Sequence, residues 1–379
     1  MALDLVEAPL PGAALHDLLA AARRRPGLTP ATLLGQPAQL VTRYADLKTF
    51  MVDEASFPGG PVYQFQVEPA IGRTFISMDG EEHVAVRRQA TPAFRSRAVS
   101  RFVDDQLVPL AHEVVDRFAA RGEADLVAEL ANVLPYWAIS RKLGLPVGSE
   151  EKQRAVTRAL LAHVADPDGA ARAAAAIDDV VRPVMEQRRR EPTDDVLSQL
   201  LAGGMDETSV LAHVRLLYAV GATTTSDAMG NLLRNVLTRP ELVARATDDP
   251  SVIPALVAES LRLEPPVAVL PRLATQDAAV GDAAVPAGTL LLAALAAGNR
   301  DPAVFDEPDA FDPDRDDAAE VLTFGVGPKF CPGWNLARSQ LATALGVVLD
   351  RLPGITVLDA AEPQGAILRS TPRLVARWR

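Results

Sequence analysis

The chain carries a single cysteine, Cys331, in 379 residues. A lone thiol has no internal partner, so no disulfide frames the fold. Histidine is nearly as sparse: His16, His83, His112, His163 and His213 are scattered, and no histidine and cysteine cluster has the spacing of a zinc site. No glycine-rich loop of the nucleotide type follows a strand-like run, which argues against flavin or nicotinamide binding within the chain. Long apolar runs are missing too. Leu18-Leu19-Ala20-Ala21-Ala22 falls far short of the ~20 residues that span a bilayer, and it runs into Arg23-Arg24-Arg25, without the order of a signal peptide. A cytoplasmic location with no membrane anchor is therefore expected. Cationic excess is absent as well: a net charge of -11 and a pI near 5.1 speak against nucleic acid and anionic membranes as partners.

Proline, glycine and aspartate are spread as loop punctuation, with no linker, repeat or low-complexity tract, so one domain over 1–379 is expected. Apolar residues at helical spacing dominate from about 93 to 237. Short β-like runs sit nearer the ends: Leu40-Val41-Thr42, the stretch 274–292 with a Pro286-Ala287-Gly288 turn, Ile355-Thr356-Val357, and Leu374-Val375-Ala376. The composition is that of a large, mainly α domain with a minor β region.

The longest periodic segment covers 206–237, between the breakers Gly203-Gly204 and Pro240. As a helix it spans about 45 Å at 1.5 Å per residue. Val210, Val214, Leu217, Gly221, Thr224, Ala228, Leu232 and Val236 recur at steps of three or four, which predicts an inward stripe holding Gly221 and Thr224. Midway, Val220-Gly221-Ala222-Thr223-Thr224-Thr225 sets a glycine beside three β-branched residues, all poor helix formers. A local distortion is expected, because threonine hydroxyls bond the carbonyl four residues back and bend the helix. A cluster that only packs or kinks is the plain alternative.

Three other stretches combine reactive or charged groups. Phe324-Gly325-Val326-Gly327-Pro328-Lys329-Phe330-Cys331-Pro332-Gly333 leads into a helix-forming stretch from Asn335. Its glycines allow tight turns and close approach to a flat ligand, while Lys329 and helix-start amides favour thiolate over thiol; alone, a buried inert cysteine fits as well. Glu259 and Arg262 stand at i,i+3 and can pair, although such pairs are usually solvated. His83 and Arg87 stand at i,i+4, two cationic donors suited to a dianionic partner, or simply an exposed face.

The cysteine stretch resembles the haem-ligand loop of the cytochrome P450 family, Phe-Gly-x-Gly-x-(basic)-x-Cys-x-Gly, at every fixed position. The resemblance covers nearly the whole chain. It implies a triangular prism of helices with small β-sheets and a long central helix over haem b, iron protoporphyrin IX. It implies Cys331 as axial thiolate, within a loop in which Phe324, Gly325 and Gly333 also meet the cofactor. His83, Arg87, Arg272 and Lys329 match the family's propionate donors. Gly221, Thr223 and Thr224 match its oxygen-activating motif, with Thr223 standing where a carboxylate is usual. Glu259, Arg262 and Arg315, the last in Phe311-Asp312-Pro313-Asp314-Arg315, match its buried Glu-Arg-Arg network. Val267, Ala268, Val269 and Leu270, with Ile367 and Leu368, fall where the family lines its substrate pocket. Phe57, Tyr63 and Phe65 fall in the capping loop.

The activity so implied is insertion of one oxygen atom from O2 into an apolar small molecule. Electrons would come from a separate donor, for the soluble bacterial type a ferredoxin and its reductase. Thr223 in place of the acid slightly favours a rival, peroxide-driven or rearranging haem chemistry. A haem sensor or carrier that performs no oxidation is a third reading, and a helical protein without haem a fourth.

Overall fold

The computed structural model describes Leu5 and residues 8–379. The segment 206–237 forms the longest helix among them, Glu207–Leu237. Asp206 caps it, its carboxylate accepting the Ser209 amide at 2.7 Å, which satisfies one of the orphan donors of a helix start. The helix ends at Thr238, and Pro240 opens the next one, Pro240–Asp248, a position where its missing N–H costs nothing.

A single inward stripe understates this helix. Leu211, Leu216 and Leu233, all off the stripe, are buried almost as completely as Val210 and Val214. Helices Leu134–Leu143, Glu150–Leu161, Ile253–Leu263 and Trp334–Arg351 pack around it, and a helix enclosed on all sides needs apolar residues on all sides. Gly221 serves that packing: a Cβ there would lie 3.1 Å from Cδ1 of Ile139 in Leu134–Leu143.

The β structure is small and split. Strands β1 (Thr29–Leu33), β2 (Gln36–Val41), β3 (Glu123–Asp125), β4 (Leu270–Leu273), β5 (Ala278–Val280), β6 (Ala283–Val285), β7 (Leu290–Ala293), β8 (Thr356–Ala360) and β9 (Leu374–Arg377) form three sheets, ordered β1-β2-β7-β4, β3-β9-β8 and β5-β6. The runs read as strands fall on β2, β5 to β7, β8 and β9. β1 has no counterpart in that reading: it contains Pro30 and pairs only with β2, on the sheet edge where a missing N–H is tolerated. The parallel pairing of β2 with β7, Ala38 opposite Leu290 through Val41 opposite Ala293, brings the N-terminal region against the chain that leads to the cysteine loop.

Candidate active site

The cysteine loop closes on itself: the Cys331 amide donates to the Phe324 carbonyl at 2.8 Å. Gly325 and Gly327 adopt φ of +74° and +73°, and a Cβ on Gly327 would meet Val52 Cγ1 at 2.9 Å. Both therefore answer to the turn itself. Gly333 has an ordinary φ of -86° and precedes the helix Trp334–Arg351. The amides of Gly333 and Trp334 bond the Cys331 sulfur, and Arg87 lies beside it, yet burial outweighs them and pushes the thiol up. Lys329 is turned away, its Nζ donating to the Met78 carbonyl and pairing with Asp79 at 3.0 Å.

His83 and Arg87 share the helix Gly80–Ala90 but do different things. Arg87 donates to the carbonyls of Pro328, at 2.9 Å, and Phe330, clasping the cysteine loop. His83 is 1% exposed, and among the described residues both its buried ring nitrogens lack a partner. Burial, then the charges of Lys329 and Arg87, lower its pKa to about 4, so at neutral pH it is an uncharged donor and not the cation expected. Arg272, on β4 and 3% exposed, bonds among the described residues only the Pro271 carbonyl, at 2.9 Å. A Cβ on Gly59 would stand 3.4 Å from Lys329 Cε and 3.6 Å from Arg272 Cζ, which places the two cations together.

In the central helix the hydroxyls of Thr223, Thr224 and Thr225 donate to the carbonyls of Ala219, Val220 and Gly221 at 2.8, 2.7 and 2.9 Å. The helix nevertheless runs unbroken through them. Each hydroxyl hydrogen is thereby committed to the backbone, and the oxygen is left as an acceptor.

Glu259 and Arg262 are 2% and 0% exposed. Arg262 grips both carboxylate oxygens at 2.8 Å, Arg315 adds Nε to Oε2 at 2.9 Å, and the Asp312 amide bonds Oε1 at 2.8 Å. The pair is buried and not solvated.

A cytochrome P450 family model matches residues 165–354. The chain is 32% identical over 367 residues to Cytochrome P450 107B1 of Saccharopolyspora erythraea, covering 92% of this chain and 89% of that protein. The chain belongs to the cytochrome P450 family. It is also 34% identical to the mycinamicin IV hydroxylase/epoxidase of Micromonospora griseorubida, over 91% of this chain and 90% of that one. The P450 CYP109Q5 of Chondromyces apiculatus superposes with a TM-score of 0.86 at 29% identity, covering 96% of this chain and 95% of that one. This P450 is accordingly a monooxygenase with a haem cofactor and a separate electron donor. Among the described residues no helix is long and apolar enough to cross a membrane.

The site fits such a cofactor. A buried imidazole with two unpartnered nitrogens is a defect in a finished fold, and it stands among cations next to the cysteine loop. A group bearing carboxylates would give His83 its missing partner and lie beside the cations of Arg272 and Lys329.

The expected pocket residues divide. Ala268 and Val269 are fully buried and pack with Leu292, Ala294 and Ala38, so they belong to the core and not to a pocket wall. Phe57 is likewise core, its ring 4.9 Å from that of Phe50. Val267 and Ile367 stay half-buried and Leu368 exposed, with Val267 and Leu368 paired in a β-bridge. Tyr63 is half-buried and Phe65 is 69% exposed.

Two features escaped the sequence reading. Glu264, two residues past Arg262, receives Arg369 at 2.5 Å and His16 at 2.9 Å, with Arg300 at 3.5 Å. Burial raises the Glu264 carboxyl, but His16, Arg369 and Arg300 outweigh it and bring the pKa to about 2. Arg369 also holds the carbonyls of Leu10, Gly12 and Gly365, so this buried cluster braces the turn that carries Ile367 and Leu368. No periodicity signals it, since its members lie up to 359 residues apart. The second is Asp227, one turn beyond Thr223 on the central helix; only counting along the helix from Thr223 could have found it.

Proposed function

We propose that this P450 binds haem b through the Cys331 thiolate, with His83, Arg272 and Lys329 on its carboxylates and Phe324, Gly325 and Gly333 completing the loop beside it. Haem so held supplies oxygen activation and atom transfer, which thiolate donation favours. The chain supplies the rest. Arg87 fixes the loop through the Pro328 and Phe330 carbonyls, and Gly333 and Trp334 amides stabilise the sulfur's negative charge. The Glu259, Arg262 and Arg315 network locks the segment ahead of the loop. Thr224 offers an acceptor oxygen in the helix groove, where it holds water and passes protons. Val267, Ile367 and Leu368 meet an apolar substrate, electrons arrive from a ferredoxin with its reductase, and one domain over 1–379 carries the whole function.

The unpartnered, buried His83 beside Arg272 and Lys329 supports this assignment most directly. Its test is haem retention. His83→Ala and Arg272→Ala should each speed haem loss to an acceptor protein about ten- to a hundredfold, the equivalent of one hydrogen bond to a charged group, while the thiolate spectrum persists. Unchanged loss in both variants would overturn the assignment. Thr223 in place of an acid favours peroxide-driven chemistry as a second reading, distinguished by turnover with peroxide alone. For the hydroxyls, Thr224→Ala should divert more reductant to hydrogen peroxide than Thr223→Ala, measured as product per reductant consumed. Equal coupling in wild type and Thr224→Ala would make that hydroxyl structural.

A further inference from the structure

Thr223, Asp227, Leu368 and Ser370 face Arg158, Leu161 and Ala162 of the helix Glu150–Leu161 across a cavity of about 320 Å³. That volume holds several waters, each of which occupies roughly 30 Å³ in the liquid. Asp227 stands four residues after Thr223 and three after Thr224, so the three share one side of the central helix. Among the described residues its carboxyl takes neither a hydrogen bond nor an ion pair. At the far wall Arg158 is exposed to solvent.

We infer that Asp227 is the proton relay of this monooxygenase, one helical turn from the position where Thr223 offers no acid, and that this cavity is its route to solvent. The inference rests on the monooxygenase reading proposed above. Each oxygen atom inserted consumes two protons together with two electrons from the redox partner, and the second oxygen atom leaves as water. The threonine hydroxyls cannot originate those protons, because each one's hydrogen is already given to a carbonyl. A carboxylic acid facing the same cavity can. Its O–H proton passes through cavity water to the Thr223 oxygen and on to the groove at Thr224, and the carboxylate left behind is reprotonated from the Arg158 side. No electrons move in this step.

The electrostatics agree with that role. Burial lifts the Asp227 carboxyl to about 7, against the pull of Arg158 and then Arg154, so it exchanges its proton near neutrality, the range in which a relay works best. Those two arginines, both on Glu150–Leu161, are the charged groups that face it. The remaining wall, Thr223, Ser370, Leu161, Ala162 and Leu368, is neutral, and Arg369 beside it points into Glu264. Asp227→Asn removes a half-buried acid without changing shape, so it should fold.

The test has two arms on the haem-loaded protein. Infrared titration without substrate should show a protonated carboxyl that ionises near pH 7 and is missing from Asp227→Asn. Its absence from wild type overturns the inference. With a surrogate ferredoxin pair and 7-ethoxycoumarin as probe, the ratio of peroxide to product should rise about 10²-fold in Asp227→Asn, the low end for loss of a positioned donor, and Asp227→Glu should restore it. In wild type that ratio should climb as pH passes above 7; in Asp227→Asn it should stay high and flat. Weaker probe binding with an unchanged peroxide share would make Asp227 a substrate contact and overturn the relay. No oxygen reduction in any form, wild type included, defeats the monooxygenase reading and the relay with it, even where the infrared band is present.

Discussion

Arg262→Ala is expected to yield almost no soluble, haem-loaded protein. All five guanidinium donors are engaged: two on Glu259, two on the carbonyls of Asn299 and Pro308, and one on the carbonyl of Ala310, each at 2.8 Å. Truncation leaves the Glu259 carboxylate, 2% exposed, with Arg315 as its only cation among the described residues. Breaking a buried pair in this way costs about 3–5 kcal/mol. Three carbonyls lose a donor in the same stroke, at about 1–3 kcal/mol for any left dry. Against a total stability of about 5–15 kcal/mol, that removes most or all of the fold. Arg262→Lys should fare little better, since three donors on a point charge cannot reproduce a bidentate fork and three carbonyl contacts. The contrast is Arg245, which pairs with Asp314 at 2.6 Å on the surface; Arg245→Ala should leave the urea midpoint where it is. Soluble haem content and that midpoint are the measurements. A haem-replete Arg262→Ala with an unshifted midpoint would show that the network is dispensable.

What the sequence disclosed was local. The cysteine loop and the threonine run each lie within about ten residues, and the family resemblance that gives them a role rests on those short motifs. Glu259 and Arg262 sit one turn apart, yet nothing in their spacing shows burial; that comes from the carbonyls of Asn299, Pro308 and Ala310 folding over them. His83 shows the same limit. Its charge state depends first on burial and then on Lys329, 246 residues away, so a cation by sequence becomes a neutral donor in the fold. The family resemblance sets Ala268 and Val269 at a pocket wall, but β2, β7 and the N-terminal helix Ala13–Arg23 close over them. The Glu264 cluster was invisible because its four ionisable members come from four distant segments. Periodicity reports which face is buried and never what buries it.

Cys331→His should abolish the red-shifted band that the reduced wild-type protein shows with carbon monoxide. That band reports thiolate ligation, and Cys331 is the chain's only cysteine, so no second thiolate is available to replace it. Methionine offers a thioether, which carries no charge. The surroundings are built for a sulfur anion once metal is present: two amides, from Gly333 and Trp334, and the guanidinium of Arg87 oppose burial, and coordination deprotonates a thiol outright. Imidazole places a neutral nitrogen where those donors expect a negative charge, so any haem retained by the variant should give the spectrum of a neutral axial ligand. Cys331→Ser serves as the smaller replacement, and it too should lose the band completely. Each variant is read from the reduced, carbon monoxide-bound spectrum together with haem content, which separates a changed ligand from lost cofactor. A wild-type protein that binds haem without the red-shifted band, or a Cys331→His protein that keeps it, would show that the iron takes its axial ligand elsewhere.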